Sequence, residues 1–297
     1  MANDERASRT SRDETDDEGP ACARWRRLVA DRRAEAQRLT PDRAAPGARA
    51  FFDRRADRYA AAVKLADASH DPFLRELRRV SDASSTLLDV GAGTGRFTLA
   101  LALAGAVAHV TAVDPSAGML DVLRRDAQQQ GVTNVTVVQR TWEDTPMIHA
   151  DVVFSAFVLT LVPDARPFLV KLEACAREHV VLYLGAFCAD AVLDPLWRHF
   201  HGTSRVSGPS YLDAIAVLRE LRITPAVKVV EVPNRIRFAT IDEAVEHYRD
   251  ALLLADSAES RRELEGLLPT WLLGRRGAYR SPLRTVPAAI VRWTPRT

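Results

Sequence analysis

Leu88-Asp89-Val90-Gly91-Ala92-Gly93-Thr94-Gly95 is the stretch on which the reading of this chain turns. It begins inside a short apolar run, Thr86–Val90, stops on glycines, and passes into a small-residue segment from Phe97 to about Ala104. Such a run predicts a strand that bends sharply into a helix. Glycine is required there because the backbone must take unusual angles while lying close to a ligand. A lone Gly-x-Gly is satisfied by a plain tight turn, so its neighbours have to decide. A dinucleotide turn of the form Gly-x-Gly-x-x-Gly would need glycine at position 96, where this chain has Arg96; its third glycine is Gly95. That helix start is poorly shaped for a pyrophosphate.

Working outward, apolar segments alternate with helical ones. Ala108–Val113, Val135–Gln139, Asp151–Ser155 and Val180–Gly185 read as strands two to five. Helices are expected over Ala117 to about Gln129 and about Asp164 to Arg177. The strands are continuously apolar rather than alternating, the mark of a parallel sheet covered on both faces. Ser210 is a candidate N-cap for a helix through Leu221, and Ala226–Val232 and Thr285–Trp293 supply two later strands. Thr240, with Glu243 three residues on, predicts a capping box and helix to about Leu268. Before the sheet, helices are expected near Trp25–Arg38, Ala48–Ala66 and Pro72–Val80. The expected fold is thus α/β, a Rossmann-like, mostly parallel seven-stranded sheet with helices on both faces. The expected division is an acidic disordered tail over 1–20, an N-terminal helical cover over 21–82, and a catalytic domain over 83–297 with cap segments near 188–209 and 240–283.

Three acids fall at the carboxyl edge of this sheet. Asp89 precedes the glycine turn and is placed to meet a cation. Asp114 ends strand two, where a carboxylate can accept from ribose hydroxyls. Trp142-Glu143-Asp144 follows strand three and offers an acceptor for an adenine amine, with Trp142 or Met119 as an apolar surface. A ligand with an ammonium, a ribose diol and an adenine but no phosphate fits this set.

Leu88–Gly95, Val113-Asp114-Pro115-Ser116, Glu143-Asp144 and Asp151-Val152-Val153-Phe154-Ser155 together resemble the ordered motifs of the class I S-adenosylmethionine-dependent methyltransferases. The resemblance runs closely over about residues 50–185. It implies S-adenosylmethionine as cofactor and S-adenosylhomocysteine as product. It places Asp89 and Gly91 near the methionine portion, Asp114 on the ribose, Asp144 at the adenine amine and Met119 on the ring. Ala92, Gly93, Gly95, Pro115, Trp142, Glu143 and Ser155 fall in the same loops and join the expected cofactor set. Tyr59, within Phe51–Tyr59, resembles a family segment that closes over the methionine end, and is a candidate for both cofactor binding and catalysis. The segment after strand four departs from the pattern: it reads Ala156-Phe157-Val158-Leu159-Thr160-Leu161, with neither a histidine nor an Asn-Pro-Pro-Tyr-like run. That weighs against amino methylation of a nucleic-acid base.

The methyl acceptor is less legible. Leu196-Trp197-Arg198-His199-Phe200-His201-Gly202 follows strand five and holds the best candidate base, His201, since histidine exchanges a proton near neutral pH. Trp197, Arg198, His201 and Tyr211 are candidate acceptor contacts. No metal site is expected, because His199 and His201 find no third ligand. Residues 1–20 carry seven acids against three arginines, and residues 21–60 eleven arginines against five acids. The basic stretch leaves an RNA or protein acceptor as the alternative to a small organic one, and a non-catalytic regulator as a third. Arginine is habitual here, however: the chain has only three lysines, Lys64, Lys171 and Lys228. No apolar run reaches the roughly 20 residues of a membrane span, and no secretory leader is evident. Cys22, Cys175 and Cys188 form no framework, so the expectation is a cytoplasmic monomer or homodimer.

Overall fold

The computed structural model describes residues 19–41, 56, 70–186, 192–234, 236–274 and 277–296. Most of the expected acidic tail, the expected helix over Ala48–Ala66 except Ala56, and both Tyr59 and Cys188 lie outside them.

Five parallel strands build the centre: β1 (Thr86–Val90), β2 (His109–Asp114), β3 (Val135–Gln139), β4 (Ala150–Ala156) and β5 (Ala176–Gly185). With β6 (Ala226–Pro233) and β9 (Thr285–Trp293) they form one seven-stranded sheet in the order β3-β2-β1-β4-β5-β9-β6. β9 runs antiparallel to both its neighbours. A small two-stranded antiparallel sheet, β7 (Arg237–Phe238) with β8 (Tyr279–Arg280), stands apart. The Rossmann-like expectation is met.

Alternate residues of each strand serve opposite faces. Leu88, Val90, Val153, Leu182, Ala289 and Val291 belong to one core, closed by α1 (Pro20–Leu39), α5 (Ala165–Cys175) and α7 (Tyr211–Glu220). Leu87, Val110, Val152, Phe154, Tyr183 and Ile290 belong to the other, under α2 (Pro72–Arg79) and α3 (Arg96–Leu103). There Phe73 stacks on Tyr183 with ring centroids 4.6 Å apart. α4 (Ala117–Gln129) packs along β2 and β3. A third apolar cluster gathers α6 (Asp194–His201), α8 (Ile241–Ala251), α9 (Ala258–Trp271) and the β7–β8 pair into a helical lobe.

α1 is fixed into the first core rather than laid over it. Trp25 is fully buried and its indole N–H donates to the Val162 carbonyl at 3.0 Å. Glu220 of α7 accepts from the backbone N–H groups of Ala21 and Cys22, satisfying the first turn of α1. Trp25→Ala is expected to lower unfolding free energy by about 3–5 kcal/mol, measured by denaturant titration; an unchanged midpoint would place α1 outside the cooperative unit.

Several boundaries differ from expectation. α1 starts at Pro20, with Gly19 as N-cap, because proline suits the first helical turn. β5 starts four residues before Val180 because Ala176–His179 are drawn into pairing with β4 across a bulge. The single helix expected to Leu268 is two, separated at Leu252–Ser257, with Leu253 at φ +54°. Thr240 caps α8 by accepting from Glu243 N–H, but the Glu243 carboxylate accepts from Ala239 N–H, so the box is displaced by one residue.

Candidate functional site

Strand order reverses between β1 and β4, and in such sheets the crevice beyond the carboxyl ends of these strands is where ligands bind. Two loops meet there. The glycine turn leaves β1 with Gly91, Gly93 and Gly95 at φ +78°, +54° and +81°. The other loop leaves β4 through Phe157, a non-glycine residue at φ +59° whose N–H donates to the Tyr183 carbonyl at 2.7 Å. Strain of this kind persists only where the surroundings fix it, and it concentrates at functional sites. Phe157 is 39% exposed.

The three glycines have different reasons. A Cβ on Gly91 would stand 2.2 Å from Val158 Cγ2, so the two loops touch through the missing side chain. A Cβ on Gly95, the N-cap of α3, would stand 2.7 Å from Leu123 Cγ. At Gly93 it would meet nothing within 4 Å among the described residues. That open backbone is the side a ligand can approach. Arg96, which disfavoured a dinucleotide, donates to Asp71 Oδ2 at 2.5 Å and ties α3 to the start of α2.

Asp89 is fully buried at the end of β1 and accepts from Thr98 Oγ1 at 2.6 Å. Burial is the main reason its carboxyl is pushed up to about 7; the Thr98 hydroxyl opposes this and the Asp114 charge adds to it. Among the described residues no cation pairs with it. Asp114 is also buried, and its two oxygens hold separate loops: Oδ2 accepts from Gly93 N–H at 2.9 Å and Oδ1 from Ser116 N–H at 2.8 Å. One carboxylate thereby fixes the glycine turn to the start of α4.

Beyond Asp114 lies a cleft of about 440 Å³ lined by Pro115, Gln139, Arg140, Thr141 and Asp144. Pro115 and Asp144 were expected there. Gln139, Arg140 and Thr141 were missed, although their position at the carboxyl end of β3 was signal enough. Asp144 accepts from Thr141 Oγ1 at 2.8 Å. Glu143 is exposed in the same turn, and Met119 is buried beside Val122 and Ala56. Trp142 is buried with its indole N–H on the Phe168 carbonyl at 3.3 Å, and its ring meets Phe168 edge-on, so core packing accounts for it. Ser155 Oγ donates to the Val90 carbonyl, joining β4 to β1. Ala92 packs against Leu120 and Leu123.

The acceptor candidates separate. Trp197 is buried in the helical lobe with the Arg205 guanidinium 4.3 Å above its ring. His201 sits 4.3 Å from the same indole, its Nε2 on the Leu252 carbonyl at 2.8 Å. Arg198 is exposed and paired with Asp194. Tyr211, by contrast, packs against the core that contains β1 and β4. Among the described residues there is no group of three side chains able to hold a metal, and no helix long and apolar enough to cross a membrane.

Sequence and structure comparisons bear on the fold. Residues 81–214 match the model of a family described as a methyltransferase domain. A protein of Haemophilus influenzae described only as uncharacterized is 37% identical over 98 residues, which is 32% of this chain and 35% of that protein. The release factor glutamine methyltransferase of Chlorobaculum tepidum is 31% identical over 142 residues, 46% of this chain and 44% of its own. The chain therefore spans well under half the length of these curated relatives. Among solved structures, the magnesium protoporphyrin IX methyltransferase of Synechocystis, determined with bound S-adenosylhomocysteine, superposes with a TM-score of 0.53 at 14% identity, covering 84% of this chain and 97% of that one. At that identity the likeness is one of fold. The sheet order and the glycine turn define a Rossmann-like α/β protein. More particularly, the chain has the class I S-adenosylmethionine-dependent methyltransferase fold.

Proposed function

We propose that the chain transfers a methyl group from S-adenosylmethionine to a small or medium organic acceptor by in-line displacement, releasing S-adenosylhomocysteine. The observation that carries this reading is Asp89: a buried carboxylate behind the glycine turn with no cation among the described residues. An amino-acid ammonium satisfies it; a pyrophosphate does not. The sulfonium, when bound, supplies an already activated methyl group, so the protein's work is alignment and exclusion of water. Asp89 would receive the ammonium and Asp114 the ribose hydroxyls, with the Gly93 and Ser116 N–H groups holding the Asp114 carboxylate still. Asp144 accepts from the adenine amine in the cleft beside Pro115. Tyr59 would close the methionine end. If the acceptor must lose a proton, His201 would take it through Nδ1, since Nε2 is engaged.

A small acceptor is favoured over RNA because α1 is not a free comb of arginines. Arg24 and Arg26 pair with Asp213 and Asp164, while Arg32 and Arg33 donate to the carbonyls of Val206 and Leu161. The test is calorimetric titration with S-adenosylmethionine and, separately, NAD. Saturable binding of the first alone is expected, weakened at least about tenfold by Asp114→Ala. Binding of NAD alone, or of neither by folded protein, would overturn the reading.

A further inference from the structure

Lys171 is one of three lysines in a chain that otherwise uses arginine. It projects from α5 beneath the turn that ends at Thr145, and its ammonium donates to three backbone carbonyls: Trp142 at 2.6 Å, Glu143 at 3.1 Å and Thr145 at 2.5 Å. The same nitrogen stands 4.7 Å from the centre of the Trp142 ring. Three acceptors converging on one point need a tetrahedral donor. A guanidinium, planar and forked, spreads its N–H groups and cannot reach all three from one place. The geometry thus gives a reason for lysine where arginine is the habit.

The turn held in this way carries Asp144. Its carboxylate is oriented from the other side by Thr141, whose hydroxyl donates to Asp144 Oδ2 and accepts from Asp144 N–H at 3.2 Å. Thr145 Oγ1 closes the turn on the Thr141 carbonyl at 2.6 Å. Lysine below and threonine beside hold the turn that sets the carboxylate at the wall of the cleft.

Resting on the cofactor reading above, we infer that Lys171 is a positioning residue: by gathering the carbonyls of Trp142, Glu143 and Thr145 it sets the Asp144 carboxylate to read the adenine amine. It touches no ligand itself. Its contribution therefore lies in selectivity for the base as well as in affinity.

The experiment compares binding of S-adenosylhomocysteine with its hypoxanthine analogue, in which a carbonyl replaces the adenine amine, to wild type, Lys171→Met and Lys171→Arg. Wild type is expected to prefer the adenine compound at least about tenfold. Lys171→Met should bind it about tenfold more weakly, with the preference collapsing toward one. Lys171→Arg keeps the charge and the apolar stem, so it remains informative if the methionine variant does not fold, and it should also lose preference. Unchanged preference in the variants, even with a lower melting temperature, would show that Lys171 only stabilises the turn and would overturn the proposal. So would a wild type that binds both compounds equally. A wild type that binds neither overturns the cofactor reading instead, and that failure is recognisable by itself.

Discussion

Asp89→Asn is expected to weaken S-adenosylhomocysteine binding about 100-fold at pH 8, by removing one partner of a buried charge pair, while leaving the empty protein more stable than wild type. The two effects have one cause. In the folded protein burial raises the Asp89 carboxyl from 3.8 to about 7. Between those values the folded state holds a proton that the unfolded chain has released. The stability this residue contributes is therefore full below the unfolded value and lost as pH rises through about 7. At pH 8 the empty protein carries an unpaired buried carboxylate, and asparagine removes that cost while still accepting from Thr98. Binding has the opposite dependence. The ligand ammonium needs the ionised form, so wild-type affinity should fall about tenfold per pH unit below 7, and the asparagine variant should be flat. Melting temperatures at pH 5 and pH 8, with dissociation constants across that range, check both signs. A variant that binds normally, or whose binding keeps the wild-type pH profile, would remove Asp89 from the site.

The second large effect is at Gly91. Gly91→Ala must place an alanine at φ +78° and a methyl 2.2 Å from Val158 Cγ2. The backbone angle costs about 1 kcal/mol or more and the overpacking a further 1–3 kcal/mol. Together a loss of about 2–4 kcal/mol in unfolding free energy is expected. Adding Val158→Ala empties the contested space but cannot change the sign of φ, so the double variant should recover only part of the loss. Full recovery would mean that the positive angle is unimportant; no recovery would mean that the two loops do not meet through this contact.

The parts of the molecule that were legible in advance are those where local chemistry and global position agree. Thr86–Val90, Val135–Gln139 and Thr285–Trp293 are strands with the expected limits; largely buried apolar runs set β1 and β9, whereas β3, at the edge of the sheet, is only partly buried. Ser210 caps α7 with Asp213 completing the box, since a cap is a short-range device. The β7–β8 pair was missed because two-residue strands carry no period, and the two meet only through the folding of the helices between them. In the candidate site, the location of Asp89 and Asp114 at the carboxyl ends of β1 and β2 was readable from position alone. Their partners were not: that Asp114 would bind Gly93 N–H, that Thr98 would reach Asp89, or that Lys171 would serve the turn before Thr145 depends on distances of 21, 9 and 26 residues along the chain. Trp142 shows the converse. Its place in sequence suggested a ligand surface, but its indole is occupied by Phe168.

β9, Thr285–Trp293, is late in sequence yet lies inside the sheet, with β5 on one side and the edge strand β6 on the other. During synthesis β6 is made some fifty residues before the strand that will join it to the sheet. Until then β5 presents one unpaired edge and β6 has no place to rest, while Trp25, already made, waits for the same core. Native closure is thus a late event, and the partly made chain exposes β edges and aromatic surface that invite association with other chains. A ribosome stalled just before residue 285 would hold the protein at its most adhesive. Shortening the chain to that point removes the strand that joins β6 to the sheet and leaves β5 as an open edge.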